Sequence, residues 1–370
     1  MSLIAVLKSG ARFIPLAAAC LAGSTAALAQ NPQEAWKATL AKAKGQVLTF
    51  QTQGDKPMDP ILDEFSKKFG VKVETTVSRP TATIGRVRTE QTNGQYLWDL
   101  WWGITSNMVH VAAPAGMLAK IEDHLILPEV RDASNWRHAA YMYGEPGHHV
   151  FTYSHEVNVG AFRNKAVLPD IKVDSLDVLM DPRLKGRIAV RDASVPNAGS
   201  FNLATLLKAK GPDFLRKFLT NMDPKVYSNP QQLDVAIMRG GAAVAIGMQS
   251  SAFSECRKAG GCQTMEEIPS VAYVQSRGLS VFKNPPHPEA ARVFINWFLS
   301  KEGQELLVRE WARNSISGAV SHRKDVAPHK DHLADMPDFA RADQYVWVSI
   351  AQGSKDLEAT INIYKQIAEK

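Results

Sequence analysis

The feature that most constrains the fold is a strand–helix pattern that occurs twice along the chain. In its first occurrence, apolar strands are predicted at 47–50, 71–77 and 98–102. The first two strands flank an amphipathic helix that ends at Gly70, and a polar helix at 83–93 precedes the third strand. Strands and helices that alternate at this spacing predict a parallel α/β sheet.

A second set of strands is predicted at 157–162, 187–190 and 242–247, with a helix predicted after the second of them. A chain of 370 residues is longer than one compact core usually organises, so two domains are expected. We therefore predict an α/β protein with two lobes. In such sheets a ligand lies at the carboxyl ends of the strands, so the expected binding site is a cleft between the lobes.

The N-terminus has the pattern of a secretory signal peptide, predicted to span residues 1–29. The basic residues Lys8 and Arg12 lie before a mostly apolar, Ala-rich run at 13–28. A small-x-small triplet at 27–29 is the expected cleavage site. A membrane anchor, for which the apolar run is short, and lipid attachment at Cys20 are the competing interpretations. The pattern indicates an exported protein.

Export places Cys256 and Cys262 in an oxidising compartment. They are close in sequence and are separated by a segment that favours a turn, so we predict a disulfide between them. A metal site needs more ligands than this pair offers, and a redox pair is more often Cys-x-x-Cys. The predicted disulfide is therefore structural.

Charge distribution and motif content argue against two classes of protein. The 43 basic and 37 acidic residues give a net charge of +6, but the basic residues are spread out, so no nucleic acid partner is expected. The chain contains no Gly-x-Ser-x-Gly elbow, no phosphate-binding loop and no dinucleotide-binding glycine motif. We therefore do not expect an enzyme, although motifs do not exclude a catalytic triad that is defined only in space.

The most specific signal in the sequence lies between residues 278 and 304. A strand is followed by Asn284-Pro285-Pro286-His287-Pro288-Glu289-Ala290-Ala291, then by an apolar helix and by Ser300-Lys301-Glu302-Gly303-Gln304. With the strand at 98–102, this segment closely resembles the periplasmic solute-binding proteins of bacterial ABC importers. The resemblance extends over the mature chain and points to the branch that binds ferric iron, sugar phosphates and phosphonates.

The resemblance implies a type II periplasmic binding fold, in which two α/β lobes are joined by a hinge. The N-terminal lobe is expected to contain 30–156 and 279–314, and the C-terminal lobe 157–278 and 315–370. It also implies a monomer in the periplasm that needs no cofactor. Its partners would be a small-molecule ligand and the membrane permease of an ABC importer.

The metal ligands of the iron-binding members are absent from the matching positions. In those members a His or Glu from the first lobe and a Tyr pair from the second lobe hold the metal. Here 51–54 contains no His, Ile104 stands where the first-lobe acid is expected, and 248–251 contains no Tyr. We therefore expect neither a structural metal nor the binding of bare iron.

Hydroxyl, amide and guanidinium groups at the predicted strand ends suit a small organic anion instead. Arg79 follows the second strand, and 194–200 leads into a helix whose free N–H groups favour an anion. The candidate ligand-binding residues are Gln53, Arg79, Trp102, Ser106, Tyr153, Asn197, Ser200, Gln249, Ser250 and Ser251. Several also have a structural interpretation: Arg79 as a solvated residue, Trp102 as a core residue and Ser200 as a helix cap.

We predict a binding protein that captures an organic anion bearing a phosphate, phosphonate or carboxylate and delivers it to the permease. A competing hypothesis for the ligand is a ferric chelate, or an organic cation such as thiamine or a polyamine stacked on Trp102. Asp55, Glu156 and Asp192 would then be the nearby acids. Two competing hypotheses for the function are a secreted hydrolase on a two-lobed scaffold and a receptor whose closed form signals to a membrane sensor.

Overall fold

The computed structural model describes residues 31–53, 58–137, 142–313, 320–328, 346–350 and 353–369. The predicted signal peptide and Cys20 lie outside these ranges. The described residues form two β-sheets, each covered by helices, so the predicted two-lobed α/β fold is confirmed. Across the described ranges, every helix falls short of the length and apolar character needed to cross a bilayer.

The strands and helices of the described ranges are numbered in chain order. The strands are β1 (Val47–Thr52), β2 (Lys72–Val77), β3 (Leu100–Ile104), β4 (Leu118–Ala119), β5 (Val150–Val159), β6 (Ala161–Asn164), β7 (Ile188–Arg191), β8 (Lys225–Tyr227), β9 (Val244–Ile246), β10 (Met265–Glu267), β11 (Ala272–Phe282), β12 (Val320–Ser321) and β13 (Val346–Trp347). The helices are α1 (Pro32–Ala43), α2 (Met58–Phe69), α3 (Pro80–Thr92), α4 (Pro128–Arg131), α5 (Ala198–Lys210), α6 (Pro212–Asn221), α7 (Pro230–Met238), α8 (Ser250–Lys258), α9 (Pro288–Leu299), α10 (Lys301–Arg313) and α11 (Ser354–Ala368).

The first sheet has the strand order β12-β5-β11-β3-β1-β2, and β4 and β13 also pair with β11. We call this sheet and the helices packed on it the first lobe. β1 is parallel to β2 and β3, as the sequence predicts, but β11 is antiparallel to β3 and β5. The sequence pattern did not resolve these two long strands, which add an antiparallel part to the sheet.

The second sheet has the strand order β10-β6-β9-β7-β8, and with its helices it forms the second lobe. β7 is parallel to β8 and β9, whereas β6 runs antiparallel to β9 and β10. A single strand was predicted at 157–162, but Gly160 divides it between β5 of the first sheet and β6 of the second. The chain therefore passes from one sheet to the other at this glycine.

Each lobe has its own hydrophobic core. In the first lobe, aromatic rings of β1, β3 and α9 pack together, among them Phe50, Trp102 and Phe294. In the second lobe, α5 and α6 pack on β7 and β9, and α11 adds Ile363 and Tyr364 to this core. Helix α11 thus belongs to the second lobe, whereas β12 and β13 pair with the first sheet. The exact lobe boundaries given above stay a prediction.

Candidate functional site

A cavity of about 330 Å³ lies between the two lobes. The segment after β3 forms its first-lobe wall, and the start of α5 together with α11 forms its second-lobe wall. The residues that line it are Ser106, Asn107, Val109, His110, Val111, Pro114, Pro196, Phe201, Leu357, Glu358 and Ile361. This cavity is the candidate ligand site, and of the predicted site residues Ser106 lines it directly.

Hydrogen bonds from Thr105 fix the first-lobe wall. The Thr105 N–H donates to the carbonyl oxygen of Ser276 in β11 at 3.0 Å. The Thr105 hydroxyl donates to the carbonyl oxygen of Ser349 at 2.7 Å. A single π-helical turn follows at Met108–Ala112, a geometry that is frequent at functional sites. Ser106 is therefore held at the cavity by a neighbour that is tied to two separate segments.

Two ionisable side chains, His110 and Glu358, line the cavity. His110 Nε2 lies 3.0 Å from the carbonyl oxygen of Val348. Because a carbonyl oxygen only accepts, Nε2 carries the proton of the neutral ring and Nδ1 is left as an acceptor. Burial lowers the pKa of His110, and the hydrogen bond to Val348 and the charge of Glu358 offset this only in part. His110 is therefore neutral at physiological pH.

Asn197 and Ser200 form a capping box at the start of α5. The Asn197 side-chain oxygen accepts from the N–H groups of Gly199 and Ser200, at 2.7 and 3.4 Å. The Ser200 hydroxyl in turn accepts from the Asn197 N–H at 2.9 Å. These groups are already paired within the helix start, so the structural interpretation fits both residues. A ligand role for Asn197 and Ser200 stays a prediction.

Arg191 ends β7 beside the start of α5. A Cβ atom added to Gly199 would lie 2.5 Å from the Arg191 carbonyl oxygen, which shows how closely the two segments pack. Burial lowers the pKa of the Arg191 guanidinium, and electrostatic interactions with Tyr273 and Asp234 oppose this shift. Within the described residues the guanidinium forms no hydrogen bond or salt bridge. Arg191 is thus a half-buried cation without a hydrogen-bonded or salt-bridged partner in that part of the chain.

Gln249 follows β9, on the same side of the second sheet as the end of β7. Its backbone N–H donates to Asp234 Oδ1 at 3.4 Å, and it occupies the N-cap position of α8 without a side-chain cap. Burial raises the pKa of Asp234. Ser250 and Ser251 form the first turn of α8, and their side chains lie outside the described part of the structure. A ligand role for these three residues stays a prediction.

Gln53 and Arg79 lie at the ends of β1 and β2 in the first lobe. Gln53 is half-buried against β3, since a Cβ atom added to Gly103 would lie 2.7 Å from its Nε2 atom. That Nε2 atom is buried and has no hydrogen-bond partner in the described ranges. Arg79 is exposed and precedes α3, which begins at Pro80 rather than at the predicted residue 83. Their roles in ligand binding also stay predictions.

Trp102 and Tyr153 lie in the first-lobe core rather than at the cavity. Trp102 is fully buried, and its ring centroid lies 4.5 Å from that of Phe298 and 5.5 Å from that of Tyr153. Tyr153 is fully buried as well. The structural interpretation therefore fits Trp102, and a ligand role for Trp102 and Tyr153 stays a prediction.

The disulfide between Cys256 and Cys262 is confirmed, with Cα atoms 5.8 Å apart. It joins the end of α8 to the following turn, and neither cysteine lines the cavity. Among the described residues, no group of three His, Cys, Asp or Glu side chains is placed to hold a metal ion.

Sequence reasoning did not identify Arg191, His110 or Glu358. The available signal for Arg191 was its place directly after the strand predicted at 187–190, where ligands bind in parallel sheets. His110 and Glu358 had no comparable signal, because they are 248 residues apart and meet only through the packing of α11.

Comparison with known proteins gives a relative in sequence and several similar structures. An uncharacterised protein of Haemophilus influenzae is 25% identical over 278 residues, covering 72% of this chain and 76% of that protein. Iron-bound HitA of Pseudomonas aeruginosa matches with a TM-score of 0.59 at 20% identity, over 86% of this chain and 99% of its own. AfuA of Actinobacillus pleuropneumoniae, with fructose-6-phosphate bound, matches with a TM-score of 0.54 at 18% identity, over 88% and 99%.

The structural likeness establishes the fold of a two-lobed periplasmic binding protein. The Trichodesmium protein FutA, in complex with iron and citrate, gives a TM-score of 0.62 at 17% identity, over 88% of this chain and all of that one. The family model for bacterial extracellular solute-binding proteins matches residues 60–341, which is most of the chain. This is a family of binding proteins rather than of enzymes. The chain belongs to the family of bacterial extracellular solute-binding proteins.

Proposed function

We propose that this protein is the periplasmic binding component of an ABC importer and that it captures a small organic anion for delivery to the permease. Family membership supports the binding role, and a similar structure is described as part of an ABC transporter. The fold likeness includes one protein with a sugar phosphate bound and others with iron. The ligand class is therefore argued from the residues of this chain.

The observation that carries the anion proposal is the guanidinium of Arg191. A half-buried cation that has no hydrogen-bonded partner is stabilised when an anion binds it. A guanidinium can grip a phosphate or carboxylate through two parallel hydrogen bonds. Its position at the carboxyl end of β7, beside the start of α5, is where ligands bind in sheets of this type. The carboxylate of Asp234 acts on the charge of Arg191, but burial raises the pKa of Asp234 and so disfavours its charged form.

The test is thermal unfolding of the mature, ligand-stripped protein against phosphates, phosphonates, carboxylates, polyamines and ferric salts. A ligand at about 100 times its Kd should stabilise the protein by about 2.7 kcal/mol. We expect stabilisation by one class of organic anion. Loss of a hydrogen-bonded charge in Arg191→Ala should weaken that anion roughly 10- to 100-fold.

Two further variants make this test specific. Arg88→Ala removes the same charge from an exposed position on α3 and should leave binding unchanged. A loss of anion affinity in Arg79→Ala would show that the first lobe adds a second cation to the site. Stabilisation by ferric ion alone, or equal anion affinity in wild type and Arg191→Ala, would contradict the proposal.

A further inference from the structure

Each lobe contributes one ionisable side chain to the cavity lining. His110 belongs to the first-lobe wall, and Glu358 belongs to α11 in the second-lobe wall. The described lining contains no lysine, arginine or aspartate. The charge of the cavity lining therefore changes with pH through two groups that lie on different lobes.

The His110 ring is held in one orientation. Its Nε2–H donates to the carbonyl oxygen of Val348, and the Val348 N–H donates to the carbonyl oxygen of Val274 in β11 at 3.1 Å. The Nδ1 atom of His110 has no hydrogen-bond partner among the described residues. A second proton therefore binds at Nδ1, and the ring becomes a cation without losing its contact with Val348.

The segment that fixes His110 also packs against the helix that carries Glu358. Val348 is fully buried and belongs to one apolar cluster with Phe201 of α5 and Leu357 of α11, and Leu357 directly precedes Glu358. Burial lowers the pKa of His110, and Glu358 is close enough for its charge to oppose this shift. The exposed Glu358 carboxylate makes no hydrogen bond or salt bridge within the described ranges, so it is available to a cation on the opposite wall.

Other charged side chains on the surrounding elements do not line the cavity. They are Arg86, Arg88 and Glu90 of α3, Glu156 of β5, Arg191 and Asp192 before α5, Arg277 of β11, and Lys355 and Asp356 of α11. Two ion pairs occur among them, Arg86–Glu90 at 3.8 Å and Arg277–Glu156 at 3.7 Å. Within the described lining, Glu358 is therefore the charged group that His110 faces.

We propose that His110 and Glu358 form a proton-dependent clamp, in which the imidazolium formed by protonation at Nδ1 pairs with the Glu358 carboxylate and draws the two lobes together. This goes beyond the proposed function, because it assigns a regulatory role to the walls of the cavity and needs no ligand. Proton binding and closure are linked reciprocally, so the proton binds more tightly to the closed form. Because exposed ion pairs are weak, we expect protonation to raise the ratio of closed to open protein about two- to fivefold.

Two measurements on the ligand-free protein test the clamp. NMR titration of the His110 ring, assigned by comparison with His110→Gln, gives the pH midpoint of its protonation. Energy transfer between fluorophores on Val77→Cys and Val226→Cys reports the distance between the lobes. Both valines are exposed and lie in edge strands, β2 and β8, at or next to the carboxyl end that faces the cleft in sheets of this type.

Energy transfer in the otherwise wild-type protein should increase as the pH falls through the His110 midpoint. His110→Gln and Glu358→Gln, made in the same labelled protein, should lose this increase, and Glu358→Gln should also move the His110 midpoint to lower pH. Glu255→Gln is the matched control, since it makes the same change at an exposed position on α8 of the same lobe. It should preserve both the increase and the midpoint.

Three results would overturn the clamp. The first is a His110 midpoint that is the same in wild type and Glu358→Gln, or a ring that stays neutral throughout the acid range in which the protein is folded. The second is energy transfer that does not change through the midpoint, and the third is an increase that survives in Glu358→Gln. Anion affinity is measured separately at neutral pH, where His110 is uncharged, so failure of the clamp leaves the anion proposal standing and failure of the anion proposal leaves the clamp standing.

Discussion

Asn296 uses its whole side-chain amide to join α9 to a neighbouring loop. Its oxygen accepts from the N–H groups of Ile126 and Leu127, and its nitrogen donates to the carbonyl oxygens of His124 and Arg292. Asn296 is fully buried and His124 is nearly so. The His124 ring is thus enclosed by a loop whose backbone is fixed from α9.

Burial of His124 makes the stability of the protein depend on pH. Desolvation, with a smaller contribution from the charge of Arg292, lowers the pKa of His124 from 6.5 to about 4. In the unfolded chain the ring takes up its proton near pH 6.5, whereas the folded protein resists protonation down to about pH 4. The stabilisation is therefore complete above pH 6.5 and is lost as the pH falls toward 4, by roughly 3 kcal/mol in total.

His124→Gln removes this titrating group and should flatten that part of the pH dependence. The measurement is the free energy of unfolding in urea at about pH 7 and at about pH 4, for wild type and variant. Carboxylates titrate in both proteins, so the difference between the two pH responses isolates His124. Identical pH responses would show that the ring is protonated as readily in the folded protein as in the unfolded one.

At the scale of single residues, the sequence predicted local interactions better than the tertiary contacts of each side chain. The Cys256–Cys262 pair was predictable because only local spacing and an oxidising compartment are needed. Ser200 was assigned both a capping and a ligand role, and local hydrogen bonds place it in the cap. Arg191 was missed because its significance comes from lacking a partner in the described structure, which depends on every segment packed around it. Trp102 was given both a ligand and a core role because strand alternation alone does not say which face is enclosed, and its full burial fits the core role.

At the scale of elements, the motif at residues 300–304 joins α9 to α10. The Ser300 hydroxyl donates to the Trp297 carbonyl at 2.6 Å, and Glu302 accepts from the Trp297 indole at 3.1 Å. Gln304 donates to the Phe298 carbonyl and accepts from the Ser321 hydroxyl, at 2.9 and 2.7 Å. The side chains that carried the family resemblance are therefore structural, and they hold β12 against the first lobe.

The two motifs of the resemblance also contact each other. Asp99, just before β3, accepts from the backbone N–H of His287 at 2.7 Å, and Asp99 Oδ2 lies 3.0 Å from His287 Nδ1. The same carboxylate accepts from the Thr49 N–H at 2.8 Å. One buried acid thus ties the start of α9 to β1 and β3.

Gly303 is the position in this junction where a side chain cannot be accommodated. A Cβ atom there would lie 2.4 Å from the Trp297 carbonyl oxygen and 2.5 Å from that of Phe298. Both are backbone atoms, so the helices themselves must move, and Gly303→Ala should cost about 2 to 3 kcal/mol of unfolding free energy.

Gly85→Ala is the matched control, because Gly85 lies inside α3 with open space around its Cα atom. It should stabilise the protein by about 0.5 to 1 kcal/mol, since alanine favours a helix. Urea denaturation of both variants measures the two effects. A Gly303→Ala protein as stable as wild type would mean that the α9–α10 junction relaxes without cost.

The sequence predicted strands and helices that follow from a local residue pattern, but it did not predict the pairing of strands that are far apart in the chain. The positions of β1, β2 and the helix starting at Pro288 follow from periodicity and from proline at the first turn. The long strands β5 and β11 were not recognised as antiparallel partners. Their pairing connects residues more than 100 positions apart, and buried polar residues such as His155 and Ser276 interrupt any simple alternation.

At the scale of the whole molecule, two cores meet where the chain crosses between sheets. Gly160 lies at this crossing, and its carbonyl oxygen accepts from the N–H groups of Gly247 and Met248, at 2.7 and 3.1 Å. Its Cα atom faces Asn202 of α5, whose amide nitrogen donates to the Ala198 carbonyl at 2.7 Å. The crossing is therefore packed directly against the helix that borders the cavity.

Enlarging Gly160 should strain this contact, because a Cβ atom there would lie 2.1 Å from the Asn202 amide nitrogen. Asn202 is fully buried and cannot move into solvent, so Gly160→Ala should cost about 1 to 3 kcal/mol of unfolding free energy and should shift the start of α5.

Shortening the opposing side chain in Gly160→Ala/Asn202→Ala relieves the clash. The double variant should then be more stable than the sum of the two single effects predicts, by about 1 kcal/mol or more. Urea denaturation of the four proteins gives this coupling energy, and additive effects would show that the crossing accepts a side chain without help from α5.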